Sequence, residues 1–142
     1  MLVQGRLVQG RKQVGSSIVE TAAGLILLIP IVLFLVDVAA MVVVQTENDK
    51  LAKACARAAA EYPQGDIKAV NAAKDVYMNQ HDSNLLKKAP FNPSGSPTYL
   101  SAGMVTCKTT ITCTLPVPVP LVGNSQVAFN AIATEPIVGE LP

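Results

Sequence analysis

The chain has 142 residues, a net charge of +1 and no Trp. This length allows one domain, or one small domain with an anchor. The near-neutral charge gives no support to nucleic-acid binding, which depends on a basic surface. Half of the residues are hydrophobic and only 15% are charged. The hydrophobic residues are concentrated near the N-terminus, and this local excess is typical of a membrane protein.

Residues 1–15 form a short basic leader. Arg6, Arg11 and Lys12 are its only charged residues, and without it the chain has a net charge of −2. Basic flanks stay on the cytoplasmic side of a bilayer, so we expect the N-terminus to remain inside and the rest of the chain to be exported. We predict no regular structure for the leader.

Residues 16–44 contain the most apolar run and predict a transmembrane helix. Its core, residues 21–44, has a single charge, Asp37. A helix of this length extends about 36 Å, enough to cross about 30 Å of hydrocarbon with some tilt. Pro30 removes one backbone donor, which predicts a mild kink. A cleavable Sec signal is the main alternative, but its apolar core is usually about 7–15 residues long.

Residues 45–62 predict an amphipathic extension of the same helix. The segment is rich in Ala and also contains Leu51, Lys53 and Arg57, and all these residue types favour helices. An apolar stripe recurs at helical spacing through Leu51, Cys55, Ala58 and Tyr62. The Pro and Gly that follow are typical of a helix end.

Residues 63–142 predict a small exported head that begins with a second helix. Asp66 is suited to cap a helix over about residues 67–80, in which apolar residues recur at helical spacing. Residues 82–97 contain three Pro and one Gly, so we predict a loop there.

The last third of the chain predicts two strands. Apolar residues and Cys alternate with Thr and Lys over residues 105–115, and a second alternating run covers residues 126–134. Two strands alone are marginally stable, so the upper half of the long helix should support them. The fold class that follows is α+β: a long N-terminal transmembrane helix that continues into a small head with a second helix and a short antiparallel β-sheet.

An unusual order of residues joins the leader to the apolar run. Gly15 is followed by four small or apolar residues, then by Glu20, and then by the run itself. An acid within a membrane costs on the order of 2.5–3.5 kcal/mol on insertion scales, so Glu20 needs a partner. Cleavage between Gly15 and Ser16 would create an amine that could pair with Glu20, in the same chain or in a packed neighbour.

This junction resembles the type IV pilin superfamily, and more closely the TadE-like pseudopilins of tight-adherence pili. In that superfamily a prepilin peptidase cuts after Gly, and Glu is the fifth mature residue. Counted from Ser16, Glu20 is fifth. The Ala-rich segment 48–59, the Thr-rich strand that precedes Pro116 and the closing segment 131–136 are also similar to TadE-like proteins.

The resemblance implies a structural subunit rather than an enzyme, with no cofactor. Its expected partners are prepilin peptidase, other pilin or pseudopilin subunits and the membrane, and not nucleic acid. Its expected location is the inner membrane, as a single-pass protein with the N-terminus inside, followed by an extracellular pilus or the cell surface. Gly15 and Ser16 are the predicted processing site, and Glu20, Pro30 and Asp37 are predicted assembly residues.

Two positions depart from the family pattern. Ser16 stands where many type IV pilins have Phe or another apolar residue. Asp37 is a charge inside the predicted anchor, and two roles are open for it. It pairs with a neighbouring subunit, or it lies near the outer membrane interface once the helix tilts.

The three cysteines have no metal-ligand spacing and are candidates for a disulfide in an exported domain. On a regular strand Cys107 and Cys113 would lie about 20 Å apart, whereas a disulfide needs Cα atoms within about 7 Å. A bridge from Cys55 to one of the two is therefore favoured. Pairing of Cys107 with Cys113 stays open, and it requires a turn between them.

The chain offers no convergent set of catalytic residues or metal ligands. Its only His, His81, lies beside Asp82 and is interpreted as a solvated helix end. The alternative function belongs to another class: a monomeric signal-anchored envelope protein whose head binds a ligand or another protein. Loss of the first fifteen residues would favour the pilin-like subunit.

Overall fold

The computed structural model describes residues 12–92, 97–100, 103–117 and 125–138. They form two helices and four strands, and the predicted α+β class is confirmed. The elements are α1 (Lys12–Ala60), α2 (Ile67–Asn79), β1 (Leu86–Lys88), β2 (Thr98–Leu100), β3 (Met104–Thr114) and β4 (Gln126–Pro136). The chain divides into two compact units, Met1–Val36 and Asp37–Pro142. All strands, α2 and the C-terminal part of α1 belong to the second unit, which we call the head.

The helix α1 begins earlier than predicted. Lys12 is already helical, so the prediction of no regular structure is wrong for residues 12–15. Nucleation is the costly step of helix formation and each added residue costs little, which favours extension of the helix into the leader. The helix continues through Pro30. Because proline has no N–H, the carbonyl of Ile26 does not receive the backbone hydrogen bond that any other residue at position 30 would donate.

The sheet is antiparallel, as predicted, and β3 is its central strand. β4 pairs with β3 along its whole length, from Gln126 opposite Thr114 to Pro136 opposite Met104. The other edge of β3 pairs with β1 at one end and with β2 at the other. The sheet is therefore three strands wide, and its third position is shared by two short strands.

The loop predicted over residues 82–97 contains β1, so that prediction is wrong for Leu86–Lys88. β2 was not predicted either. Three residues are too few to show a period of two in the sequence. These segments are extended because β3 offers backbone partners along its free edge, and such tertiary pairing overrides local preference.

The alternation in β3 determines the core of the head. Its odd-numbered residues from Val105 to Cys113 are buried, as the sequence pattern predicts. They pack with a face of α1 that is wider than the predicted stripe, because Ala52, Ala56 and Ala59 are also buried. These small side chains let the helix approach the sheet closely. The helix α2 adds the buried residues Ala69, Ala73 and Tyr77.

Both ends of α2 are held by side chains. Asp66 caps its N-terminus as predicted, because the carboxylate accepts a hydrogen bond from the Lys68 N–H at 2.9 Å. At the other end, the Lys88 ammonium donates to the carbonyls of Tyr77 and Met78, at 3.0 and 3.2 Å, and to that of Gln80. A cation at the C-terminus neutralises the partial negative charge of the last carbonyls, so Lys88 joins β1 to α2.

Candidate functional site

The most exposed apolar surface lies on α1 over residues 17–36, which we call the exposed apolar segment. Every residue in it is exposed, and Glu20 is its only charge. Ile26, Leu27 and Phe34 are 71%, 68% and 64% exposed. Burying apolar surface gains about 25 cal/mol per Å², so side chains of this size are unfavourable in water. A continuous apolar surface of this kind marks contact with lipid or with another protein.

The length of the exposed apolar segment matches a membrane. Twenty residues of α-helix extend about 30 Å, the thickness of the hydrocarbon core. Among the described residues, α1 from Ser17 onward is the one helix that is long and apolar enough to cross a bilayer, by length and composition. The Thr21 hydroxyl donates to the Ser17 carbonyl at 2.9 Å, so this polar group is satisfied within the helix.

The helix changes character at Asp37. Asp37, Ala40 and Val44 are buried within the head, whereas Val42 and Val43 remain exposed. Residues 37–44 were predicted to belong to the transmembrane helix, and in the structure one side of them packs in the head core. The uncovered part of α1 is therefore shorter than the predicted span.

The carboxylate of Asp37 has a partner in its own chain. Its Oδ1 atom accepts a hydrogen bond from the backbone N–H of Val117 at 3.1 Å. Val117 lies between two prolines, which have no N–H to donate, so its own N–H is the donor available there. The sequence left two roles open for Asp37: pairing with a neighbouring subunit, or a position near the outer membrane interface. A hydrogen bond to Val117 of the same chain is neither of these. An assembly role for Asp37 stays a prediction.

We expect Asp37→Ala to lower the free energy of unfolding of the head by about 1–3 kcal/mol. The substitution removes a buried carboxylate and leaves the Val117 N–H without its hydrogen-bond acceptor. Asp37→Asn keeps an oxygen acceptor and should cost less. Denaturant unfolding of the full chain in detergent measures both. Asp49→Ala is the matched control, since Asp49 is exposed on the same helix and accepts only a surface bond from Gln45. Equal stability of Asp37→Ala and Asp49→Ala would contradict a structural role for the Asp37 carboxylate.

Sequence analysis missed a second buried polar residue, Asn48, which joins α1 to the sheet. Its amide nitrogen donates to the Phe129 carbonyl at 2.9 Å, and its amide oxygen accepts from the Thr109 hydroxyl at 2.7 Å. Asn48 is fully buried and Thr109 nearly so. Both atoms of the amide are thus paired across the helix–sheet contact. The available signal was one Asn on a helix face otherwise made of Ala, Leu and Cys.

The Asn48–Thr109 contact should fix how α1 lies on the sheet. We expect Asn48→Ala to lower the free energy of unfolding by about 1–3 kcal/mol, because it creates a cavity and unpairs buried polar groups. A double-mutant cycle with Thr109→Val should give a coupling energy of at least about 0.5 kcal/mol. The exposed pair Asn130–Thr110, with a 2.7 Å bond, is the matched control and should show little coupling. Similar coupling in both pairs would contradict a special role for burial.

The three cysteines lie in the core of the head, and none forms a disulfide in the structure. Burial, together with a smaller effect from Cys107, raises the pKa of Cys55 to about 12. Burial also raises the pKa of Cys113, with a smaller effect from the negative charge of Asp37. The thiolate is the reactive form, so these thiols are inert in the folded head near neutral pH. The disulfide stays a prediction.

All the predicted processing and assembly residues lie on α1. Gly15 and Ser16 are in its first turns, and Pro30 is in its interior. Glu20 is exposed, one helical turn beyond Ser16, and no described residue forms a hydrogen bond or an ion pair with it. An unpaired carboxylate next to an apolar helix surface is a group that needs an external partner.

A cleft in the described part of the head lies between Tyr77 of α2, the segment that follows β1, and β3. Its volume is about 300 Å³, and its lining holds one Lys but no His or carboxylate: Tyr77, Ala89, Pro90, Phe91, Asn92, Lys108, Thr109 and Thr110. The Tyr77 hydroxyl donates to the Ala89 carbonyl at 2.6 Å. No group of three or more His, Cys, Asp or Glu among the described residues could hold a metal ion.

Comparisons of the chain with protein-family models, with curated proteins and with solved structures find no match.

Proposed function

We propose that this chain is a pilin-like assembly subunit, either a minor pilin or a pseudopilin. It is inserted in the membrane, cleaved by a prepilin peptidase between Gly15 and Ser16, and packed through the N-terminal part of α1 into a pilus, its tip or its assembly complex. The observation that carries this proposal is the exposed apolar segment, which begins two residues after Gly15 and contains one carboxylate, Glu20.

The exposed apolar segment suits two successive environments. In the membrane, lipid chains cover an apolar helix on all sides. In a filament, like helices would replace the lipid, and close packing among them would keep the same side chains out of water. The segment is exposed around its whole circumference, so each helix can contact several neighbours at once.

The head does not depend on this segment for its own core. The core cluster contains residues of α1 from Val44 onward and none from residues 17–36. The side chains of the segment therefore remain available for contacts with other molecules. If these side chains were part of the head core, packing them against other subunits would expose that core to water.

Glu20 gives such packing a specific register. A carboxylate in an apolar bundle is stable only beside a positive partner, and the amine created at Ser16 would be that partner. The pair can form only after cleavage, so cleavage would have to precede assembly. The resemblance to TadE-like pseudopilins supports the same order of events.

N-terminal sequencing of the mature protein from its native host tests the proposal. We expect the membrane and surface fractions to contain a chain that begins at Ser16. A chain that begins at Met1 would support a signal-anchored envelope protein instead. A chain that begins near Ala40 would indicate a cleaved Sec signal and would also contradict the proposal.

A further inference from the structure

Three contacts within the head fix how α1 runs along β3. Near the start of the head, Asp37 bonds to Val117, just beyond the end of β3. Further along, Asn48 bonds to Thr109. Near the end of α1, Arg57 forms an ion pair at 3.3 Å with Glu135, which lies opposite Val105 in the sheet. As the numbers rise along α1 they fall along β3, so the two elements are antiparallel.

This register assigns each cysteine to a level of the core. Cys55 lies between Asn48 and Arg57, and Cys107 lies between Thr109 and Val105, so these two cysteines share one level. Cys113 lies on the other side of Thr109, toward Val117, at the level of residues 37–48. The influence of Cys107 on the pKa of Cys55, and of Asp37 on that of Cys113, agrees with this placement.

The side chains around Cys55 on the contact face of α1 are small. Ala52, Ala56 and Ala59 surround it on the contact face and are fully buried. A disulfide requires Cα atoms about 4.4–6.8 Å apart, closer than a helix packed through large side chains usually comes to a sheet. A contact face made of Ala removes that obstacle at Cys55. Cys107 points into the same core, because it is a buried odd-numbered residue of β3.

We infer that Cys55 and Cys107 are the redox pair of the head, and that they form a disulfide between α1 and β3 when the exported chain folds. Cys113 remains a buried thiol. The step is thiol–disulfide exchange with an oxidant that itself contains a disulfide, as is usual in oxidising compartments. The two thiols lose two protons and two electrons to form one S–S bond, and the disulfide of the oxidant is reduced to two thiols.

The exchange has to occur before α1 closes on the sheet. In the folded head both sulfurs are buried, and the attacking thiolate is scarce because burial raises the pKa of Cys55. A head that folds fully reduced should therefore stay reduced. The bridge would constrain a loop of more than fifty residues in the unfolded chain, which is the condition for a large gain in stability.

Non-reducing peptide mapping of the full chain from the native envelope tests this inference. Thiols are blocked by iodoacetamide in denaturant before digestion. We expect a linked Cys55–Cys107 peptide and an alkylated Cys113. A Cys107–Cys113 link, a Cys55–Cys113 link or three alkylated cysteines would each overturn the inference.

Two single variants provide a matched comparison. Cys113→Ser should keep the link, and its midpoint of thermal unfolding should fall by roughly 10 °C or more when a reductant is added. Cys107→Ser should show no shift with reductant. A reductant shift in Cys107→Ser, or its absence in Cys113→Ser, would contradict the assignment.

The inference rests on the export included in the proposed function, but not on assembly. The same digest reports the mature N-terminus. A chain that begins at Ser16 with three alkylated cysteines would refute the disulfide alone, whereas a linked chain that begins at Met1 would refute the processing alone.

Discussion

Gly15→Leu is expected to leave the full-length precursor in the membrane, with no detectable mature chain. In the pilin superfamily that this chain resembles, the peptidase cuts after Gly, and a branched side chain would fill the space that Gly leaves empty. The bond to Ser16 lies within α1, so the helix must open locally before cleavage. Gly disfavours a helix by about 1 kcal/mol relative to Ala, which assists this opening, whereas Leu favours the helix. Intact mass measurement separates the two forms, which differ by fifteen residues.

Gly24→Leu is the matched control for this prediction. Gly24 lies in the exposed apolar segment, and a Cβ atom added there would meet nothing within 4 Å. The substitution should therefore insert and be cleaved like the parent chain. Loss of cleavage in both variants would mean that general damage to α1, rather than the junction, prevents processing. Normal cleavage of Gly15→Leu would remove Gly15 from the site.

The parts of the fold that depend on long regular patterns could be predicted from the sequence. The apolar run and the alternation in β3 each extend over ten or more residues, so their period is unambiguous. The cap at Asp66 was predictable because its partner, the N–H of Lys68, is only two residues away. Local chemistry determined these elements.

The remaining elements depend on contacts between residues far apart in the chain. β1 and β2 exist because β3 has a second edge to pair with, and nothing in their three-residue sequences indicates that partner. Asp37 and Val117 are eighty residues apart, and Asn48 and Phe129 are eighty-one apart. The sequence showed that Asp37 is unusual, but only the folded head shows what it binds.

The cysteines illustrate the same limit. Strand geometry favoured a bridge from Cys55 to Cys107 or to Cys113, and it left a Cys107–Cys113 bridge open only if the chain turned between them. The choice between them requires the direction and register of α1 on β3, and the Asn48–Thr109 and Arg57–Glu135 contacts supply both.

Glu20→Ala is expected to be inserted and cleaved normally but to lose assembly with its partner subunits. Glu20 is one turn beyond Ser16 and has no partner among the described residues, so its contribution should appear only in the assembled state. Breaking a buried ion pair costs about 3–5 kcal/mol, which corresponds to a loss of roughly two to four powers of ten in affinity. Co-purification of tagged and untagged copies, with mass spectrometry of the associated subunits, measures this loss.

Two further variants separate the charge of Glu20 from general effects on the helix. Glu20→Gln keeps the size of the side chain and should also fail to assemble, because a neutral amide cannot pair with the Ser16 amine as an ion. Glu47→Ala removes a carboxylate from the same helix, one that forms an ion pair at 2.8 Å with Lys50, and should assemble like the parent chain. Normal co-purification of Glu20→Ala, or equal loss in Glu47→Ala, would remove Glu20 from the assembly mechanism. Assembly of Glu20→Gln together with failure of Glu20→Ala would show that hydrogen bonding, and not charge, is what the packed helices require at this position.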